Sequence, residues 1–265
     1  MIKKFLIILP IFSFSFSVWA QDFNFSRAFS DYLYNFDLYR QAHQEYISAK
    51  ESYLRYKTLT SKTNALEKTL KMVQARDETM RTYLIALKMK MEETSGISLS
   101  ERNLFNLKLD NEASWYLNHK EELSSAGSLE DLVELAHKAE ERYQWETETL
   151  IYQALHKILL GKEINLREKI NNQIIALRER LKEVKERGDK DVSLPERWLL
   201  ETEKRLSRFE EKISTSTEKM EEIEKSRYKE QVYREAQLSL EESHQYLKEA
   251  NRYLKEVIRE VKAVE

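Results

Sequence analysis

From Gln21 to Ser95 apolar residues recur at three- and four-residue steps, in a stretch with no Gly and no Pro. Phe29, Tyr32, Phe36, Tyr39, Tyr46 and Tyr53 fall on one helical stripe, the four tyrosines seven residues apart. A stripe with that period reads as a packing seam, since tyrosine buries its ring while its hydroxyl reaches water or a neighbour. Beyond Tyr53 the seam changes phase. It continues through Tyr56, Leu59, Thr63, Leu66, Leu70, Val73, Met80, Leu84, Leu87 and Met91, beside the polar cluster Thr58 to Asn64. A phase change marks either a stutter in one coiled-coil helix or a tight hairpin. With no Gly or Pro at hand, the spacing predicts one helical arm over 21–95, about 110 Å long at roughly 1.5 Å per residue. A break near 58–64 is the alternative.

Gly96, Gly127, Gly161 and Gly188, with Pro195, divide the rest of the chain. Glycine takes the left-handed conformation that closes helices, so each is a candidate stop. Ser98 with Glu101 forms a capping box, and Ser128 with Asp131 starts another helix. Its stripe is Leu132, Ala136, Ala139, Tyr143, Leu150, Ala154 and Ile158. Gly161 either ends this helix or interrupts it, because Ile164 to Val184 continue at helical spacing. Residues 97–187 therefore read as a bundle segment of two to three helices, and 188–195 as a loop. A second long arm, 196–265, carries Leu199, Leu206, Ile213 and Met220 every seven residues, then a run in shifted phase. That run alternates Ala236, Ser243, Ala250 and Val257 with Leu240, Leu247, Leu254 and Val261. Small residues invite large ones opposite, so residues 236–261 are expected antiparallel against the aromatic stripe at 29–53. The fold class is all-α: elongated antiparallel coiled-coil arms with a shorter helical bundle between them.

Composition sharpens this picture. Charged residues make up 34% of the chain while Gly totals 4 and Pro 2, too few for the turns of a sheet protein. Acidic and basic residues interleave to a net charge of −2, which argues against a nucleic-acid partner. There is no Cys, hence neither disulfide nor thiol chemistry. Lys3 and Lys4, the apolar run Phe5 to Val18, and small residues Val18 and Ala20 read as a signal peptide over 1–20, cleaved before Gln21. The expected location is periplasmic or extracellular, with no stable membrane span after cleavage.

Little in the sequence carries chemistry. Glu134 with His137 and Glu241 with His244 repeat a Glu-x-x-His spacing that builds di-metal centres in helical bundles. In so Glu-rich a chain the spacing also arises by chance, and both histidines lie beside the apolar stripe, so rim histidines are preferred to ligands. His43 falls within the aromatic stripe and reads as a half-buried packing residue. No Gly-x-Ser-x-Gly elbow and no Gly-rich phosphate loop occurs. The expectation is an exported structural or interaction protein, a spacer, scaffold or chaperone-like clamp. It would use no cofactor and would bind a protein partner in the cell envelope or associate with itself. A metal-binding bundle and a membrane-active helical protein are the alternatives.

Overall fold

A computed structural model describes residues 24–188 and 191–264, with side chains as far as Lys262. Residues 1–20, read above as a signal peptide, lie outside the described residues. Those described are all-α, without a strand. The helices are α1 (Phe25–Tyr56), α2 (Leu59–Glu92), α3 (Leu99–Glu122), α4 (Leu129–Arg142), α5 (Glu148–Arg187), α6 (Ser193–Glu221) and α7 (Lys229–Val264). Between α4 and α5 the chain stays helical through one π turn, Tyr143–Thr147.

The first long arm is a hairpin, not one helix. Lys57 closes α1 in the left-handed region with φ 50°, a conformation costing a non-glycine residue about 1–2 kcal/mol. The next residue offsets this cost. Thr58 accepts from the Ser61 amide while the Ser61 hydroxyl accepts from the Thr58 amide, a capping box that starts α2 at once. The two helices run antiparallel, with Glu45 between Lys68 and Lys71 and the ring of Tyr32 5.1 Å from that of Tyr83. Small residues form the centre of their contact. Ala28, Ala42 and Ala49 are buried on α1, and Ser61, Ala65, Thr69 and Ala86 are among the buried residues of α2. The aromatic stripe is thus the rim of the contact rather than its middle. Tyr32, Tyr39, Tyr46 and Tyr53 are half-buried, and Phe29 and Phe36 are exposed.

The second arm is a hairpin too. α6 ends at Glu221, a short 3-10 turn over Ile223–Lys225 follows, and α7 returns antiparallel. Lys212 pairs with Glu242, Arg205 with Glu249, and Trp198 stacks on Tyr253. The whole seam predicted on α7, from Ala236 to Val261, is buried. Its partners are α6 and α5, however, not α1. Leu247, Leu254 and Val257 join Ile170, Ile174, Leu181, Leu206 and Phe209 in one core. α7 runs parallel to α5 with an offset of 81 residues, which matches Tyr152 to Tyr233 and Glu163 to His244.

Gly161 does not stop a helix. It lies buried inside α5, where the α2–α3 turn crosses it. A Cβ on Gly161 would stand 2.6 Å from Ile97 Cγ1, and one on Gly96 would run into the Gly161 carbonyl. Gly96 also holds φ +81°, so both positions need glycine: one for space, one for space and backbone. This crossing locks α5 against α2 and α3, whose shared core includes Leu84, Leu87, Met91, Leu109, Tyr116 and Leu150.

Candidate functional site

Two seam positions of α3 are polar. Leu109, Glu112, Tyr116, His119 and Leu123 follow each other at three- and four-residue steps, and all are buried. On α2 the facing seam runs Val73, Asp77, Met80, Leu84, Leu87 and Met91, again with one charged residue in the series. This spacing therefore places an aspartate, a glutamate and a histidine in the core.

His119 and Asp77 meet there. His119 Nδ1 is 2.5 Å from Asp77 Oδ2, Nε2 is 3.0 Å from the Leu135 carbonyl of α4, and the side chains are 1% and 0% exposed. Both ring nitrogens face acceptors, so each contact line needs a proton. The ring stacks on Trp115, with centroids 4.9 Å apart and planes within 8°. Arg76 supports Asp77 from the same helix at 3.4 Å. Three helices, α2, α3 and α4, are tied at this point. A pair so enclosed offers no atom to a substrate.

One heptad earlier, Glu112 is held from two sides. Arg142 donates through Nη2 at 2.6 Å and Nε at 3.2 Å, and the Thr147 hydroxyl donates at 2.5 Å. Tyr116 Oη lies 3.0 Å from the same Thr147 oxygen, and burial pushes its phenol above the usual range. Arg142 and Thr147 bracket the π turn, so the Glu112 cluster fixes the local widening of the helix. Thr147, not the exposed Tyr143, continues the buried stripe from Ala139 to Leu150. A further cation serves the same turn: Lys229, at the start of α7, donates to the carbonyls of Gln144 and Trp145. At the edge, Glu78 accepts from Arg81 and Lys120. Burial would raise its carboxyl, but the two cations hold it below the ordinary value.

A cleft of about 480 Å³ opens in front of the Glu112–Arg142 pair, between α3, the π turn and α5. Trp145 stands at its border, 72% exposed.

The residues singled out in the sequence lie elsewhere. His137 is exposed and sits 3.5 Å from Glu141, while Glu134 is exposed nearby. His244 turns to Glu163 of α5 at 3.1 Å, and Glu241 accepts from Gln237. Each histidine thus faces a carboxylate other than the one in its own motif. No group of three His, Cys, Asp or Glu among the described residues could hold a metal. His43 sits between the rings of Tyr39 and Tyr46 at 5.8 and 6.1 Å. Asp77, Glu112 and His119 are polar, which hides them from any reading based on apolar stripes. Their spacing within the apolar series is the signal that could have found them. No protein-family model matches the chain, and neither the curated proteins nor the solved structures hold a match to it.

Proposed function

We propose that this chain is a structural or interaction protein that docks a protein partner on the outward face of α1, in the cell envelope or the surrounding medium. One observation carries the reading. α1 is already packed through its alanines, yet Phe29, Leu33, Phe36, Ile47 and Leu54 recur outward at heptad-compatible steps and are exposed. Apolar side chains in a row on a solvent face mark an interaction surface more often than chance scatter does. The rings beside them are ordered by contact along the helix, Phe25 with Phe29, Phe29 with Tyr32 and Tyr32 with Phe36. A stiff aromatic surface loses little side-chain entropy when covered, which suits recognition. The envelope location rests on Lys3, Lys4 and the apolar run before Gln21.

Site-specific photo-cross-linking in intact cells tests the proposal. A cross-linker at Leu33 or Ile47 should give one discrete protein product, either a second copy or a different protein. The same group at Leu238, exposed on α7, should give none. Equal labelling from all three positions sinks the reading. Leakage from dye-loaded vesicles without a protein cross-link replaces it with the membrane-active alternative.

A further inference from the structure

The cleft beside the π turn carries binding capacity that the fold leaves unused. Its volume of about 480 Å³ falls in the range of small-ligand sites, roughly 300–1,000 Å³. Its back wall is rigid, because Arg142 and Thr147 are both fixed on buried Glu112. π turns are rare and concentrate at functional sites. Here the turn is anchored from α3 by Glu112 and from α7 by Lys229, and it leaves an indole, Trp145, largely in solvent with the Lys229 ammonium 5.9 Å from its ring. Two polar groups lining the cleft have no polar partner among the described residues. Thr149 is only 8% exposed, and its hydroxyl has no hydrogen-bond partner among the described residues. The Lys108 ammonium lies 5.8 Å from the Phe105 ring and makes no ion pair among them.

We infer that this cleft binds a neutral mono- or disaccharide. A pyranose presents an apolar C–H face that suits the exposed indole, a ring with one apolar body and one polar edge. Its hydroxyls both donate and accept, as does the amide of Asn111 in the lining, while the Gln153 amide nitrogen donates to Glu224 at 3.1 Å and presents its oxygen as an acceptor. Charge argues against the other small ligands. Arg142 is already engaged by Glu112, which leaves Lys108 opposed to Glu146 and Glu224. Such a lining offers no concentrated field for a polyanion or a free cation. The cleft lies on α3 and α5, away from the α1 docking face, so either inference can fail alone.

Saturation-transfer NMR on the full chain, with glucose, N-acetylglucosamine, maltose and N,N′-diacetylchitobiose, reads the site directly. At least one sugar should bind with a Kd of about 1 mM or tighter. Trp145→Ala and Gln153→Ala should each weaken it about tenfold or more, with far-UV circular dichroism unchanged. Tyr34→Ala, which removes an exposed ring on α1, should leave it intact. Absence of transfer from all four sugars overturns the inference. So does equal binding by Trp145→Ala, or a signal from glycylglycine with none from the sugars.

Discussion

The N-terminal bundle, where α2, α3, α4 and the start of α5 meet, and the C-terminal bundle of α5, α6 and α7 use one packing rule with different contents. Both place buried residues at three- and four-residue steps. In the C-terminal bundle such positions from Ile170 to Val261 are apolar or carry only a hydroxyl, as at Thr202, Ser216 and Ser243. The one buried polar tie that spans all three of its helices, among the described residues, is light: His156 Nε2 lies 2.9 Å from the Ser216 hydroxyl, which donates to the Ala236 carbonyl. In the N-terminal bundle, Asp77, Glu112 and His119 hold seam positions and need Arg142, Thr147 and the Leu135 carbonyl to satisfy them. Apolar seams tolerate sliding by a heptad, whereas a buried ion pair is satisfied in one register only. The difference is between a bundle that is chiefly cohesive and one that is chiefly specific.

The largest expected effect breaks the specific side. Asp77→Ala leaves His119 buried without its carboxylate and should cost about 3–5 kcal/mol in urea unfolding. Replacing both partners by leucine should recover most of that loss, since neither side chain of the pair is left buried without the other. In the cohesive bundle Leu254→Ala should cost about 2–5 kcal/mol through its cavity, with no second-site rescue of this kind. If Asp77→Ala costs under about 1 kcal/mol, the His119–Asp77 contact is incidental and the contrast collapses.

Acid should weaken the C-terminal bundle through His156, whose burial lowers its pKa from 6.5 to about 4. The unfolded chain then binds more protons than the folded one between these values. Stability is full above pH 6.5 and falls as pH drops through about 4, by a total approaching about 3 kcal/mol. His156→Gln should flatten the slope in that window, as thermal melts at successive pH values would report. Glu101, held near 2 by Lys157 and the Ser98 hydroxyl, adds its own loss only below 4.5.

The glycine crossing joins the bundles, and Gly96→Ala should cost about 2 kcal/mol or more, from positive φ and collision with α5 together. A neutral result in chemical unfolding would show that the turn can back away from Gly161.

The smallest prediction is one of sign. At Lys57 the left-handed backbone makes glycine the better residue, so Lys57→Gly should stabilise by about 0.5–1 kcal/mol. Were 21–95 one helix, the same change would destabilise by about 1 kcal/mol.

Helical character, most caps and the buried stripe of α7 were legible, because each follows from local spacing. Ser98 and Ser128 cap helices as their residue types suggest, and Gly188 closes α5 in the left-handed region. Direction was not legible. Both phase changes, near Tyr56 and before Ala236, are turns, and neither carries a glycine. Lys57 and Ser226 reverse the chain through conformation and neighbouring caps. Gly161 misleads in the opposite sense, since its cause is a segment 65 residues earlier that presses on it. Large rings draw attention from Ala28, Ala42 and Ala49, although small residues fourteen and seven positions apart carry the same period. The cleft was invisible for a related reason: Lys108, Trp145 and Gln153 come together only through the packing of α3 on α5.

The offset of 81 residues between α5 and α7 also orders events in time. The α1–α2 contacts close loops of a few tens of residues, as between Glu45 and Lys68, and α6–α7 contacts such as Lys219 with Glu235 close shorter ones still. Tyr152 cannot find Tyr233 until the rest of α5 and all of α6 lie between them. Local hairpins gain contacts before long loops do. α5 is therefore the last helix to be fully covered, and as the chain grows it waits with Ile170, Ile174 and Leu181 bare to solvent. A ribosome stalled before residue 229 would present that uncovered stripe to any chaperone that recognises apolar helices.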